Sequence, residues 1–345
     1  MNKPGRRGFT RWFADIWTSS PLFSTGIVLL VMIALQTIAL GFEFDSFEEW
    51  LSRWLINWSN ILRNNAGIGI ISLGMTFVII SGGIDLAVGS TLVAVGAVVM
   101  MLIDSGPRGL LLRAGITGVP AYAVAMTLGV VFGALLGEIT GLLVTKGKLP
   151  PFIATLGTMK FCRSVTQYFM QGYTPQVPKS FLQIASFPVF GQMLMPILYW
   201  FAFALIFYVI SKRTAFGRQV IAVGSNERAA RLSGVNVPWV KRMVYVLIGM
   251  MVAVSAILQV SRIGSMDYAN AGSGNEMDAI SAVIVGGTSM MGGRGFILGT
   301  VFGTLIIGVM NNLLNLMGVE AFLREAFKGV IVIGAVLLQK RESSS

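Results

Sequence analysis

Asn64, Asn65, Gln167, Asn311 and Asn315 are amides set in runs that are otherwise apolar. An amide donates and accepts hydrogen bonds from one uncharged side chain, so this set suits a neutral, hydroxyl-rich ligand. Polar groups inside membrane spans mark a solute path by default. For any one amide taken alone, bonding a neighbouring helix or a backbone carbonyl is the more ordinary role. Lys160 and Arg163 lie three apart on one helical face. Glu138 is the acid expected to pair with one of them, because an uncompensated charge at membrane depth is costly. Chemistry of other kinds is missing. The chain has no GxxxxGK[ST] loop and no HExxH, CxxC or GxSxG arrangement. It has no His, the commonest transition-metal ligand, and Cys162 stands alone, so no intramolecular disulfide forms. Uphill transport by such a chain draws its energy from a partner or from an ion gradient.

The elements that position these groups are membrane helices. Of 345 residues, 54% are hydrophobic and 12% are charged, against about 25% charged in soluble domains. Ten apolar segments of bilayer-spanning character follow one another, near 22–42, 61–80, 86–103, 117–145, 150–170, 193–210, 243–262, 279–291, 296–317 and 322–338. The fold expected is an all-α polytopic bundle in a single domain over 1–345, with some helices short or broken. With 1–21 placed in the cytoplasm, Lys146, Lys148, the segment 211–242, Arg294, Lys340 and Arg341 all fall inside, as does the C-terminus. Glu43, Asp45, Glu48, Glu49, Asp267, Glu276 and Asp278 fall outside, and Arg108 and Arg113 are the exceptions. The run after the basic N-terminus reads as an uncleaved first span. The net charge of +11 is accounted for by membrane orientation, and nucleic acid is not an expected partner; membrane lipid is.

Two glycine-rich breaks interrupt this pattern. Gly82 and Gly83 precede Asp85, which is placed to cap the next helix, and Gly292 and Gly293 lie in GGTSMMGGRG between the eighth and ninth segments. Such breaks persist at membrane depth only where other helices or a cavity surround them. Gly129, Gly133, Gly137 and Gly141 recur every fourth residue, as do Gly295, Gly299 and Gly303, which predicts close helix packing.

The segment 211–242 is the one long polar interruption. Lys212, Arg213, Arg218, Arg228, Arg231, Lys241 and Arg242 face a single acid there, Glu227. Its centre, NERAARLSG, predicts a short helix capped by Asn226, favoured by Ala229, Ala230 and Leu232, and ended by Gly234. A cytoplasmic helix tethered between two spans is what a membrane protein needs to dock a soluble partner.

GMTFVIISGGIDLAVGS (Gly74–Ser90), GRQVIAVGSNERAARLSGVNV (Gly217–Val237) and EMDAISAVIVGGTSMMGGRGFILGT (Glu276–Thr300) resemble the permease subunits of bacterial ABC importers for monosaccharides. The ribose-type permeases, in one superfamily with branched-chain amino acid permeases, are the nearest in pattern. NNLLNLMGV (Asn311–Val319) resembles that group too, and the similarity runs from about residue 60 to the end. The resemblance implies a multi-pass protein of the bacterial inner membrane, with about ten helices and two permease chains per complex. It implies a coupling helix at Asn226, Glu227, Ala229, Ala230, Arg231, Leu232 and Gly234 that contacts an ATPase subunit. That ATPase, usually a double-domain chain, carries the ATP and magnesium, so this chain itself binds no cofactor and is not an enzyme. A solute-binding protein outside delivers the sugar, a pentose or a hexose. The reading from residues alone leaves one alternative open, an ion-coupled secondary transporter acting by itself.

Overall fold

The computed structural model describes residues 21–41, 46–189, 191–320, 323–330 and 333. All regular structure among them is helical. In chain order the helices are α1 (Pro21–Ala39), α2 (Phe47–Ile80), α3 (Val88–Ile103), α4 (Leu110–Arg113), α5 (Gly118–Thr145), α6 (Pro151–Met170) and α7 (Lys179–Ser186). There follow α8 (Met195–Arg213), α9 (Ala215–Ser225), α10 (Glu227–Leu232), α11 (Val237–Ile263), α12 (Asn275–Val285) and α13 (Ile297–Leu316). Residues 323–330 are helical as well. The expected N-terminal segment 1–21 lies outside the described residues apart from Pro21, and so does most of the expected segment 322–338.

Among the described residues six helices, α1, α2, α5, α8, α11 and α13, are long and apolar enough to cross a membrane; α3 is apolar but shorter. Two expected boundaries are corrected. The segment expected at 61–80 begins 14 residues earlier, because Ser46 Oγ accepts a hydrogen bond from Glu49 N and caps the helix upstream of its acidic first turn. The segment expected at 279–291 is α12, only 11 residues, which reaches about 16 Å against a hydrocarbon core of about 30 Å. The chain completes that stretch without helix.

α11 is the central post, packed along α5, α2 and α3. Glycine makes the α5 contact possible. A Cβ at Gly133 would lie 2.5 Å from the Gly249 carbonyl oxygen, and Cβ atoms at Gly137 and Gly249 would overlap the Tyr245 and Gly133 carbonyls. The four-residue spacing is thus a packing face, and it packs within this chain. Gly299 and Gly303 likewise admit the backbone of α12 at Gly286 and Ala282. Trp200, Tyr245, Phe77 and Phe181 are the largest fully buried side chains.

The loops sort to two ends. At one end Asp104 accepts hydrogen bonds from Tyr173 Oη (2.6 Å) and Gln176 N (2.7 Å), and Arg163 donates to the Ala271 carbonyl (2.7 Å). At the other, the segment after α2, the end of α9 and the turn after α12 meet.

Candidate functional site

The segment expected as one polar loop, 211–242, is corrected to a helical hairpin. Its first residues belong to α8 and its last to α11, and α9 and α10 occupy the middle. Thr214 caps α9 by accepting from Gly217 N at 3.2 Å. α9 is held down by Phe216, which stacks on Phe77 at 6.0 Å and meets Trp239 edge-on at 5.9 Å. Asn226 turns the chain out of α9 and caps α10, its Oδ1 accepting from Ala229 N at 3.0 Å. Gly234, at φ +83°, ends α10 in the left-handed conformation, with Val235 N donating to the Ala230 carbonyl at 3.0 Å.

α10 turns a single small residue inward. Ala230 is buried, whereas Arg228, Ala229, Arg231 and Leu232 are exposed, Leu232 to 90%. Glu227 faces its own chain. Its carboxylate accepts from Lys241 Nζ at 2.6 Å and from Arg231 at 3.2 Å, which ties α10 to the start of α11. The Lys241 hydrogen bond, and then Arg231, holds this carboxyl below its ordinary value of 4.5. Glu227 is therefore a brace, and the outward surface of α10 is basic with one apolar knob.

Both glycine breaks end against this hairpin. Gly293 N donates to the Ile80 carbonyl at 2.9 Å, and Ser225 Oγ reaches the Gly293 carbonyl at 3.5 Å. A Cβ on Gly224 would overlap the Ile80 carbonyl oxygen, and one on Gly292 would lie 3.0 Å from the Gly224 oxygen. Gly82, at φ +79°, closes the end of α2 with a hydrogen bond to the Ile79 carbonyl at 2.9 Å. Gly83 leaves room for the Tyr245 hydroxyl, 2.8 Å from where its Cβ would sit. Asp85 is buried and accepts from Ala87 N at 2.8 Å, which closes the turn before α3. The N-cap position is Ala87 and no side chain caps that helix, so the cap expected of Asp85 is corrected to a turn contact. Three sequence motifs far apart along the chain thus share one backbone-to-backbone junction, and only glycine permits it.

A polar cavity of about 220 Å³ opens at the opposite end, among α2, α8, α11 and the start of α12. Asn64 lines it, with Arg63, Ser255, Gln259, Arg262 and Asn275. Arg262 donates to Asn64 Oδ1 at 3.1 Å, and Arg63 to Asn60 Oδ1 at 2.7 Å. The volume is below the roughly 300–1,000 Å³ of drug-sized sites and suits a small ligand. Its lining donates to hydroxyl or carbonyl oxygens and accepts through amides.

Of the five amides expected on a solute path, only Asn64 lines this cavity. Asn65 donates to the Ile61 carbonyl at 2.7 Å and packs on Gly308. Gln167 is exposed on α6, Asn315 accepts from Arg324 at 3.1 Å, and Asn311 is half-buried at the end of α13. Arg63, Gln259 and Arg262 were missed: Arg63 lies mid-way along α2, beside the expected start of that span at 61, and Gln259 and Arg262 fall near the end of α11, where arginines and amides are ordinary. The expected pairing of Glu138 with Lys160 or Arg163 is also corrected. Glu138 pairs with Arg242 on α11, because Gly137 and Gly141 bring α11 against that face of α5. Arg163 instead donates to the Tyr268 and Ala271 carbonyls, at 3.3 and 2.7 Å.

A helical bundle with several membrane-length spans, a small polar cavity at one end and an anchored basic helix at the other is built as a membrane transport subunit. The chain belongs to the branched-chain amino acid transport system / permease component family, whose model matches residues 57–336. It is 42% identical over 291 residues to the ribose import permease protein of Bacillus subtilis, covering 84% of this chain and 86% of that one. The ribose import permease protein of Escherichia coli K12 is 36% identical over 340 residues, 96% and 97% of the two chains. The fructose import permease protein of Rhizobium meliloti is 34% identical over 336 residues, 93% and 86%. No solved structure gives a significant match.

Proposed function

We infer that this chain is the non-catalytic permease subunit of a bacterial ABC importer, carrying a monosaccharide across the inner membrane. The family and the sugar-import relatives support that reading, as do the apolar spans. In this proposal the chain is a single permease domain of about ten segments with both termini in the cytoplasm. It works beside a second permease chain, identical or homologous, and receives its pentose or hexose from a solute-binding protein outside. A separate ATPase subunit, in this proposal a double-domain chain, binds ATP and magnesium.

One observation carries the mechanism. α10 presents Arg228, Arg231 and Leu232 outward while its base is fastened to both chain breaks. The ATPase docks on the helix formed by Asn226, Glu227, Ala229, Ala230, Arg231, Leu232 and Gly234, meeting its exposed Ala229, Arg231 and Leu232, while Glu227 braces the helix and Ala230 packs it inward. When ATP closes the ATPase, α10 moves as a rigid body. The junction at Ile80, Gly224 and Gly293 hands that displacement to α2, α3, α12 and α13 together. Of these, α2 and the start of α12 border the polar cavity at the far end, which takes the sugar through Asn64, Gln259 and Asn275. Asn65, Gln167, Asn311 and Asn315 lie off that cavity and would meet sugar only elsewhere on the path.

The experiment is purification of the tagged chain from detergent, with and without Ser225–Gly234. The expected result is recovery of a P-loop ATPase with the intact chain and its loss with the deletion. Recovery of the chain alone, or an ATPase retained by the deletion, refutes the docking assignment.

A further inference from the structure

The turn between α12 and α13 carries an apolar tip that packing within this chain does not explain. Met291 is 86% exposed and Met290 41%. The turn is nevertheless tightly made: Gly292 N donates to the Ser289 carbonyl at 3.1 Å, Ser289 N to the Arg294 carbonyl at 3.0 Å, and Met291 N to Ser289 Oγ at 3.2 Å. Its base is one hydrogen bond from Ile80 and within reach of Ser225, the residue before the α10 cap. Leu232, the exposed knob of α10, and the two methionines thus lie at the same end of the bundle, linked through Ser225 and Gly293; Arg228 and Arg231 are exposed on α10 and Arg294 on the turn itself.

A methionine held in water loses the gain of burial, and a turn braced this way does not fold its tip under. Methionine is flexible and polarizable and adapts to a partner's surface, and methionine and arginine are both enriched at protein interfaces. Exposed Arg294 on the turn, and Arg228 and Arg231 on α10 at the same end, place the tip in water rather than in hydrocarbon, where each would be costly.

We propose that the Met290–Met291 turn is a second contact for the ATP-hydrolysing subunit, beside α10. This rests on the docking assignment above. The partner surface it fits is an apolar pocket with an acidic rim, complementary to the three arginines. A subunit gripping both elements acts on the break between α12 and α13 directly, as well as through the Ser225–Gly293 contact.

The test uses the assembled complex in membranes. Cys162, which is buried, is first replaced by Ala. Leu232→Cys and Met291→Cys are then made separately, labelled with a maleimide–benzophenone reagent and irradiated, so that the crosslink needs no cysteine on the partner. The expected result is a covalent adduct with the ATPase subunit from both positions. An adduct from Leu232→Cys alone overturns the second contact and leaves α10 docking intact. No adduct from either overturns the docking assignment and this inference with it. In the chain freed of its ATPase, Met291→Cys is expected to react with a water-soluble maleimide, and resistance to it would place the turn in lipid and overturn the inference. Met291→Glu is expected to lower ATPase recovery about tenfold, the scale of one interface hot spot, and unchanged recovery counts against the proposal.

Discussion

Gly224→Ala adds one methyl group where the structure has no room for it. The new Cβ would overlap the Ile80 carbonyl oxygen and stand 2.7 Å from Gly293 N. Both obstacles are backbone atoms, so no rotamer change relieves them. Relief requires α9 to lift away, which parts Ser225 from Gly293, or the Ile80 carbonyl and Gly293 to yield, which breaks their hydrogen bond of 2.9 Å. Overpacking costs about 1–3 kcal/mol and a lost hydrogen bond about 0.5–1.5 kcal/mol. The junction therefore loses about 1.5–4.5 kcal/mol, on the order of 10- to 2,000-fold in its closed population. The outward face of α10 is untouched, since Asn226 and Gly234 still cap it. The expected phenotype is a complex that assembles and hydrolyses ATP but moves sugar at a small fraction of the wild-type rate. Uptake and ATP hydrolysis are measured on one preparation in proteoliposomes. Uptake per ATP at the wild-type value, in a complex of normal composition, refutes the claim that the junction transmits motion.

Lys328→Ala removes the cation that bonds Asp278 at 2.9 Å and Glu325 at 2.8 Å, with the Asp278 and Lys328 side chains only 15% and 11% exposed. Leaving Asp278 uncompensated costs about 3–5 kcal/mol, and Asp278→Ala in the same chain restores much of it; thermal unfolding in detergent reads both. The Glu227 brace follows a fixed sign with pH: its folded value lies below 4.5, so it stabilises fully above 4.5 and is lost as pH falls through the folded value. Hydrogen exchange at 227–232, corrected for intrinsic rates, is expected to rise on acidification in the wild type, while Glu227→Gln exchanges fast already at pH 7. Gln259→Leu in the polar cavity is expected to reduce sugar uptake several-fold while ATPase recovery stays normal, because it removes both a donor and an acceptor from the lining. Uptake equal to the wild type would remove the cavity from the path.

What was legible in the sequence was local. Asn226 and Gly234 bracket α10 because a cap and a left-handed stop are decided by neighbouring residues. The four-residue glycine spacing on α5 was legible for the same reason, since periodicity fixes a face. What stayed hidden was which face meets which. Glu138 and Arg242 are 104 residues apart, and helical spacing near Glu138 pointed to the adjacent α6 instead. Arg262 and Asn64, 198 apart, build the cavity only once α11 stands beside α2. The start of α2 was readable from Ser46 and Glu49 as a capping signature, but the acidic turn that follows obscured it as a membrane-span boundary. The two glycine breaks were visible singly, yet their meeting at Gly224 depends on packing that no short stretch encodes.

The central claim is that sugar movement through this chain is driven by ATP hydrolysed on a docked partner. The most direct measurement is uptake of radiolabelled ribose and fructose into proteoliposomes holding the purified complex, supplied with the binding protein outside and ATP on the side of α10. The account predicts uptake of at least one sugar that requires ATP, ignores ionophores, and vanishes when Ser225–Gly234 is deleted. Uptake that persists without ATP and collapses with the ion gradient would contradict it.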